Sequence, residues 1–509
     1  MFSAVADFGR LIRAGWILSR QDALLPIEFA DHLPAWLRAF GALSRLGVRK
    51  TGARPGERMA RAFERLGPSY VKLGQFMATR PDIIGFDLAN DLACLQDEMP
   101  PFSDEQARQE IEASFGESVD SLFAEFSPPI AAASIAQAHR GRLHSGEEVA
   151  VKILRPGIEQ IAAREFRSFG RAAKLIEAIS RRARRMEPVQ FIETLKASAG
   201  IELDLRLEAG AASELRENLA GFEGVRVPDV IWDLTARRVL TVEWIDGERV
   251  SDIATSDMSL VDKQAMAKLL IAIFLTQALH HGFFHADLHP GNLIIDRDGK
   301  LALIDFGIMG RLDEDTRNTF AEIVYGFISR NYERIAEVHF EAGYISDDHS
   351  KETFAQSLRA VGEPLQGRNA AQVDMSRVLQ QLFDVTDLFD MHLRPELILL
   401  QRTMVTVEGV ARLFDPEIDM WDAATPTVRS YLNDALGPQA HSRRLQRATR
   451  KALAIAPHLP DYVEEIAKAA KQMNDGVVER KPQASRYLGR SIAVGSVAAI
   501  VVWWLIKIV

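Results

Sequence analysis

Cysteine is almost absent from this chain of 509 residues. The single cysteine, Cys94, excludes an internal disulfide framework and a cysteine zinc cluster, so we expect a reducing compartment. The N-terminus lacks the apolar core of a secretory signal, because charged and apolar residues interleave from Met1 onward. The chain also lacks an excess of basic residues: its net charge of −9 is unlike that of a general nucleic-acid binder, so no nucleic-acid partner is expected.

The composition is that of a globular protein, with 47% hydrophobic and 26% charged residues. This balance excludes collagen-like and largely disordered chains. Convincing strand patterns are missing before residue 110, but short β-branched runs follow at 148–154, 236–245 and 292–307. Helical patterns resume beyond them and continue to about residue 475. The sequence therefore predicts an α+β centre between two helical regions.

Long apolar runs are missing except at the C-terminus. Residues 491–509 carry a single charged side chain, Lys507, and at about 1.5 Å per residue a helix of this length nearly spans a bilayer. Basic residues precede it at 480, 481, 486 and 490. The segment predicts a single-pass helix in the cytoplasmic (inner) membrane, with the catalytic domain facing the cytoplasm. A buried core helix is the alternative, and an amphipathic N-terminal helix could pack on the domain or lie at the membrane interface.

The densest chemical signal lies in residues 280–310. Asp287 and Asn292 are five residues apart, and Asp305 begins an Asp-Phe-Gly triplet further along. Phosphoryl transfer needs a carboxylate near the acceptor and oxygen ligands for Mg²⁺, and these residues have protein-kinase order and spacing. We therefore predict Asp287 as the catalytic residue, with Asn292 and Asp305 as metal ligands. Upstream, Lys152 in Val-Ala-Val-Lys matches the kinase strand lysine that binds phosphates.

A glycine-rich loop should precede Lys152, and none does. An alanine-rich run, Ala-Ala-Ala-Ser at 131–134, stands there instead. Alanine methyl groups restrict the backbone and its approach to phosphates, so this loop should hold nucleotide differently from an ordinary kinase loop. No Ala-Pro-Glu follows Asp305-Phe-Gly, so the peptide-docking platform of ordinary protein kinases is expected to be missing.

Two further motifs complete a specific combination. Lys72-Leu-Gly74-Gln75 has the form KxGQ, and Glu202-Leu-Asp204 has the form ExD. Together with the alanine-rich run and His-Ala-Asp-Leu-His-Pro-Gly-Asn at 285–292, they resemble the UbiB family of atypical, protein-kinase-like kinases of ubiquinone biosynthesis. The resemblance covers about residues 50–430.

The resemblance implies a protein-kinase-like bilobal fold with a small β-containing N-lobe and a helical C-lobe. The domains expected are an N-terminal helical extension with the KxGQ motif (1–115), the N-lobe with the alanine-rich loop and the ExD helix (116–247), the C-lobe (248–475), a basic linker (476–490) and the transmembrane tail (491–509).

The resemblance also implies roles for individual residues. Lys72, the second predicted catalytic residue, enters the active site and pairs with Glu202 or Asp204, with Gln75 beside it in a gate over the substrate side. On the helical stretch 158–220, Glu208 is the expected anionic partner of Lys152. The residues expected to bind ATP or ADP with Mg²⁺ are Ala131, Ala132, Ala133, Ser134, Ile135, Ala136, Gln137, Ala138, His139, Lys152, Glu208 and the hinge residues Glu243 and Ile245.

The function expected from these observations is a membrane-attached, ATP-binding kinase or ATPase that supports ubiquinone synthesis. Its expected partners are ubiquinone-biosynthesis enzymes, isoprenoid or phenolic lipid precursors and membrane lipid, with a homodimer as an alternative to a monomer. A small-molecule phosphotransferase of the aminoglycoside or choline kinase type is a second hypothesis. A nucleotide-gated lipid-binding scaffold without phosphotransfer is a third.

Overall fold

A computed structural model describes residues 2–23, 53–78, 84–92, 99–179, 187–255, 263–365 and 394–436, with single positions near 95 and from 381 to 391. The chain divides into a unit of residues 1–428 and a unit of residues 429–509. Of the second unit only 429–436 are described, as the end of a helix. Cys94, the basic linker 476–490 and the predicted tail 491–509 lie outside the described residues.

Helices form the described residues before the first sheet. They are α1 (Phe2–Arg20), α2 (Pro55–Leu66), α3 (Pro68–Ala78), α4 (Phe86–Leu92), α5 (Asp104–Phe115) and α6 (Val119–Leu122). Local sequence explains their ends: a capping box of Ser103 and Gln106 begins α5, and Gly116 ends it in a left-handed conformation. The KxGQ motif lies in α3, and we call α2–α4 the KxGQ helices.

A four-stranded antiparallel sheet of order β1-β2-β3-β5 follows. Its strands are β1 (Glu125–Ala132), β2 (Ala136–Arg142), β3 (Glu148–Leu154) and β5 (Val239–Glu243). In β3, Val149, Val151 and Ile153 point to one face and pack against α5. Lys152 therefore lies on the opposite face. The described residues between β3 and β5 include the helices α7 (Ile158–Ile179), α8 (Pro188–Glu202) and α9 (Leu205–Leu219).

A second four-stranded sheet has the order β4-β9-β8-β6, and a two-stranded sheet pairs β10 with β7. The strands are β4 (Val225–Arg226), β6 (Gly247–Arg249), β7 (Phe283–His285), β8 (Leu293–Asp296), β9 (Leu301–Leu303) and β10 (Met309–Arg311). The helices of this part are α10 (Lys263–Leu275), α11 (Glu314–Ser329), α12 (Tyr332–Glu341), α13 (Lys351–Gly362), α14 (Pro395–Phe414) and α15 (Met420–Leu436). A π-helical turn, Thr276–His281, continues α10 toward β7.

One hydrophobic core joins the KxGQ helices to the first sheet. The Tyr70 ring of α3 contacts the Phe169 ring of α7 edge-on, with centroids 4.8 Å apart. The same core contains Leu154 of β3, Leu240 of β5 and Ala209 of α9. The KxGQ helices thus pack on the face of the sheet that carries Lys152.

Within the described part of the chain, no helix combines the length and the apolar character that a membrane span requires. The predicted tail is not among the residues to which this finding applies.

Candidate active site

Lys152 is the centre of the charged groups between the two sheets. Its Nζ lies 2.7 Å from Oε1 of Glu208, which is buried on α9, and 3.3 Å from Oδ1 of Asp305. Desolvation alone would lower the pKa of Lys152, but Asp305 and Glu208 outweigh it and raise the pKa above its usual value. Lys152 is therefore held as an ammonium group in a site where phosphate binding needs a positive charge.

Asp305 adopts a backbone conformation that is unusual for a residue with a side chain. Its φ is +65°, in the left-handed region, and the Gly307 N–H donates to its Oδ1 at 3.1 Å. Solvent reaches 48% of the side chain, yet the carboxylate lies within the cleft, where desolvation would raise its pKa. Lys152 and the Gly307 N–H outweigh that effect and lower the pKa of Asp305 to about 2. The carboxylate is thus ionised at physiological pH, as a metal ligand must be.

Hydrogen bonds fix Asn292 next to both acidic residues. Its Nδ2 donates to the backbone oxygen of Asp287 at 3.0 Å and to the Asp287 Oδ2 at 3.3 Å. Its own backbone oxygen accepts from the N–H of Ile304, the residue before Asp305, at 2.9 Å. Both side-chain contacts use the amide nitrogen, so the Asn292 amide oxygen remains available as a metal ligand.

The loop that carries Asp287 is held from behind by a buried histidine. His285 Nδ1 accepts the Asp287 backbone N–H at 3.1 Å, and its ring packs against Phe306 with centroids 5.8 Å apart. Burial lowers the pKa of His285, so the ring is neutral at pH 7. The His285 backbone N–H donates in turn to Oε1 of Gln277, from the π-helical turn, at 2.8 Å.

These donors fit a magnesium ion. Mg²⁺ takes one or two protein oxygens and completes its octahedron with phosphate oxygens and water. The Asp305 carboxylate and the Asn292 amide oxygen supply that number. Among the residues that the structure describes, no group of three His, Cys, Asp or Glu side chains is placed to hold a metal ion.

The alanine-rich run forms a β-hairpin and not an open loop. Ala131 and Ala132 end β1, residues 133–135 make the turn, and β2 begins at Ala136. The register pairs Ala138 of β2 with Lys152 of β3, which places the hairpin beside the lysine. Ser134 is fully buried in the turn.

Two other residues of the predicted nucleotide loop make hydrogen bonds within the protein. Gln137 and His139 are buried in β2 and hydrogen-bonded to each other at 2.8 Å. Gln137 also accepts the Phe102 N–H at 2.9 Å, and His139 Nδ1 lies 2.8 Å from the Ser127 backbone oxygen. Gln137 therefore joins the hairpin to Phe102, and His139 joins the two strands of the hairpin to each other.

The predicted hinge lies where β5 leaves the first sheet. Glu243 is the last residue of β5, and its carboxylate binds Arg226, which also reaches Asp296 of the second sheet at 3.2 Å. Ile245, two residues further along, is buried. The side chain of Glu243 thus joins the two sheets, and the N–H groups of Glu243 and Trp244 donate to the backbone oxygens of Asp229 and Glu148.

The KxGQ lysine lies at the ExD motif. Lys72 Nζ is 2.6 Å from Oε2 of Glu202, and both side chains are largely buried. Asp204 instead accepts the Arg206 N–H at 3.2 Å as the N-terminal cap of α9 and pairs with the Arg206 guanidinium. Gln75 follows one helical turn after Lys72 on α3. Of the two carboxylates predicted for Lys72, the structure pairs it with Glu202.

The comparison with known proteins agrees with this geometry. The ABC1 atypical kinase-like domain matches residues 94–339, and the UbiB helical domain matches residues 358–419. The "Probable protein kinase UbiB" of Marinobacter nauticus is 35% identical over 479 residues, which cover 92% of this chain and 85% of that protein. The chain belongs to the UbiB family. The resemblance that the motifs indicate is therefore confirmed.

Other UbiB relatives match over similar lengths. The Pseudomonas aeruginosa protein is 34% identical over 496 residues, covering 95% of this chain and 92% of its own, and the Aeromonas hydrophila protein is 34% identical over 473 residues. Among solved structures, Rv3197 of Mycobacterium tuberculosis, determined with erythromycin, aligns with a TM-score of 0.52 at 20% identity. The alignment covers 80% of this chain and 96% of the Rv3197 chain, which shows that the two share a fold.

Some positioning residues of this UbiB site escaped sequence reasoning. Gln277 binds the backbone N–H of His285, and Arg226 binds the carboxylate of Glu243. Neither contact has a fixed spacing in the sequence. Arg155 binds the alanine-rich turn, as described below.

Proposed function

We propose that this chain is a membrane-attached, ATP- and magnesium-dependent kinase or ATPase of the UbiB type that supports ubiquinone biosynthesis. One arrangement carries the proposal: Lys152 Nζ lies between Glu208 and Asp305, at 2.7 and 3.3 Å. The Asn292 backbone oxygen accepts the N–H of Ile304, the residue before Asp305, and the Asn292 side chain donates to the backbone oxygen of Asp287. Membership of a family of probable protein kinases supports the reaction class.

Each group has a distinct part in the proposed chemistry. Lys152 would neutralise charge on the α- and β-phosphates, and Asp305 and Asn292 would hold the Mg²⁺ that offsets phosphate charge. The Asp287 carboxylate orients the attacking hydroxyl or water and accepts its proton as the new phosphorus–oxygen bond forms. The bond to the ADP oxygen breaks in the same transfer, so ATP and the acceptor become ADP and a phosphorylated product, or free phosphate when water attacks.

The Lys72–Glu202 pair favours a second candidate, a nucleotide-gated scaffold. This pair fixes α3 beside the site, and the KxGQ helices share a hydrophobic core with the first sheet. A helix held in this way restricts the space in which a protein substrate would lie. Nucleotide binding could then change the position of the KxGQ helices and so control lipid or enzyme partners.

Two substitutions test the chemical assignment in the purified full chain. Asp305→Asn should remove most magnesium-dependent nucleotide binding, because it replaces the ionised metal ligand. Asp287→Asn should spare binding and abolish phosphate release. Asp298→Asn, in the exposed turn after β8, is the matched control and should leave both unchanged. Phosphate release should be followed with and without liposomes and a phenolic ubiquinone precursor.

The outcomes separate the two candidate functions. Nucleotide binding without phosphate release under every condition would support the scaffold. Phosphate release that is unchanged in both Asp287→Asn and Asp305→Asn would refute the site assignment.

Residues 491–509 support the proposed membrane attachment, since they are mostly apolar and Lys507 is their only charged residue. Truncation after Arg490 should move much of the protein into the soluble fraction. Extraction of the full chain by carbonate without detergent would contradict a spanning anchor in the cytoplasmic membrane.

A further inference from the structure

One arginine contacts both the alanine-rich hairpin and the segment that follows the KxGQ helices. Arg155 comes directly after β3, three residues from Lys152. Its Nε donates to the backbone oxygen of Ala133 at 2.9 Å, and its backbone N–H donates to the oxygen of Ile135 at 2.8 Å. Both acceptors belong to the turn between β1 and β2. Arg155 thus holds the turn at its two ends.

The same guanidinium reaches a second segment. Arg155 Nη2 donates to the backbone oxygen of Pro100 at 2.9 Å, and the group lies over the Phe102 ring at 5.7 Å from its centroid. Residues 99–102 lead from the KxGQ helices to α5. The Met99 N–H also donates to the oxygen of Ala132 at 3.2 Å. The segment and the turn are therefore joined by Arg155 and by a direct backbone bond.

Peptide geometry gives this contact a consequence for phosphate binding. The carbonyl and the N–H of a trans peptide point in opposite directions. When the Ala133 oxygen faces the guanidinium, the Ser134 N–H is turned the opposite way. Backbone N–H groups are the donors by which such a turn binds phosphate oxygens. The Arg155 contacts thus set the direction of an amide in the predicted nucleotide loop.

We infer that Arg155 is a positioning residue that orients the alanine-rich turn for nucleotide and couples it to residues 99–102. Its own position is fixed by Arg238, which donates to the Arg155 backbone oxygen at 3.0 Å and pairs with Glu110 and Glu159. Arg155 reaches the nucleotide only through the turn, so it is not a catalytic residue. The nucleotide part of this inference rests on the proposed function.

The test uses the full chain with Arg155→Met and Arg155→Lys. Arg142→Met is the matched control, because Arg142 lies on β2 of the same hairpin, is 45% exposed and pairs only loosely with Glu125 and Glu148, at 3.4 and 3.6 Å. Calorimetry with MgADP and with MgATP measures affinity. Hydrogen exchange of residues 99–102 and 131–136 in nucleotide-free protein measures the contact itself.

Arg155→Met should weaken nucleotide affinity about tenfold and speed exchange in both segments, since a charge-assisted donor to two carbonyls is lost. Arg155→Lys keeps the charge but has a single donor centre, so its nucleotide affinity and exchange rates should lie between those of the wild type and Arg155→Met. If Arg155→Met fails to fold, the lysine variant alone tests the inference. Arg142→Met should change neither.

Unchanged exchange and affinity in the Arg155 variants would overturn the inference, and so would equal changes in Arg142→Met. A wild-type protein that binds neither nucleotide would refute the proposed function instead. The exchange measurement would still decide whether Arg155 joins the two segments.

Discussion

Gly74 of the KxGQ motif lies where the structure has no room for a side chain. A Cβ at this position would lie 2.6 Å from the Phe63 ring and closer still to Leu95 Cδ1. Leu95 can move at its far end, but Phe63 is 4% exposed and packs near the Tyr70 ring, with centroids 6.2 Å apart. Gly74→Ala should therefore push α3 away from α2.

The size of the effect follows from two opposing contributions. Overpacking a core usually costs about 1–3 kcal/mol, and the two contacts shorter than 3.0 Å put Gly74→Ala in the upper part of that range, at about 2–3 kcal/mol. Replacing glycine by alanine in a helix returns up to about 1 kcal/mol. The net local cost is about 1–2 kcal/mol, which corresponds to a roughly fivefold to thirtyfold change in an opening equilibrium. Because α3 carries Lys72, the same displacement should weaken the pair with Glu202.

Hydrogen exchange of the α3 amides is the direct assay, since it reports local opening. Exchange in Gly74→Ala should be roughly fivefold to thirtyfold faster, and phosphate release should rise as the KxGQ helices loosen. Gly170→Ala on α7 is the matched control: its Cβ would meet no atom within 4 Å, so it should be neutral or slightly stabilising. Equal exchange in the two variants would refute the packing argument.

Three further results are expected. Glu208→Gln should reduce turnover roughly tenfold to hundredfold, because Lys152 loses a charged partner. The control Glu214→Gln, on the exposed side of α9, should leave turnover unchanged. Equal kcat values in the two variants would contradict this prediction. Ala132→Gly should change the ratio of ATP to ADP affinity in calorimetry, since the loop backbone gains freedom, and a constant ratio would count against it. Burial lowers the pKa of His339 from 6.5 to about 4, so between these pH values the imidazole is protonated in the unfolded chain and neutral in the folded chain. Stability should fall by about 3 kcal/mol between pH 6.5 and 4, and His339→Gln should flatten that part of a denaturation series.

The residues at kinase spacing were found from the sequence because their chemistry depends on local order along the chain. Asp287, Asn292 and Asp305 lie on consecutive loop and strand segments, so sequence spacing translates directly into spatial proximity. The partner of Lys72 was not resolved, since both acidic residues of ExD are available in the sequence. In the structure Asp204 caps the N-terminus of α9 and so pairs elsewhere. Its position directly before Leu205 already favours this role, because Asp is a preferred N-cap residue.

The alanine-rich run and Arg155 show where sequence patterns fail. Alanine and proline are poor strand formers, so β1 and β2 were not expected around residues 125–142. Cross-strand pairing with β3, whose pattern is clear, stabilises them nonetheless. Arg155 binds backbone oxygens from two distant segments, and such contacts leave no side-chain pattern in the sequence.

The shared core of the KxGQ helices has a consequence for synthesis on the ribosome. Tyr70 packs on Phe169, so its partner emerges about 100 residues later, which at about 5–20 residues per second takes roughly 5–20 s. Glu202, the partner of Lys72, emerges later still. For that interval the nascent chain exposes the part of the Tyr70 surface that Phe169 later covers. Slower translation of residues 80–170 should therefore prolong the time for which the nascent chain needs a chaperone.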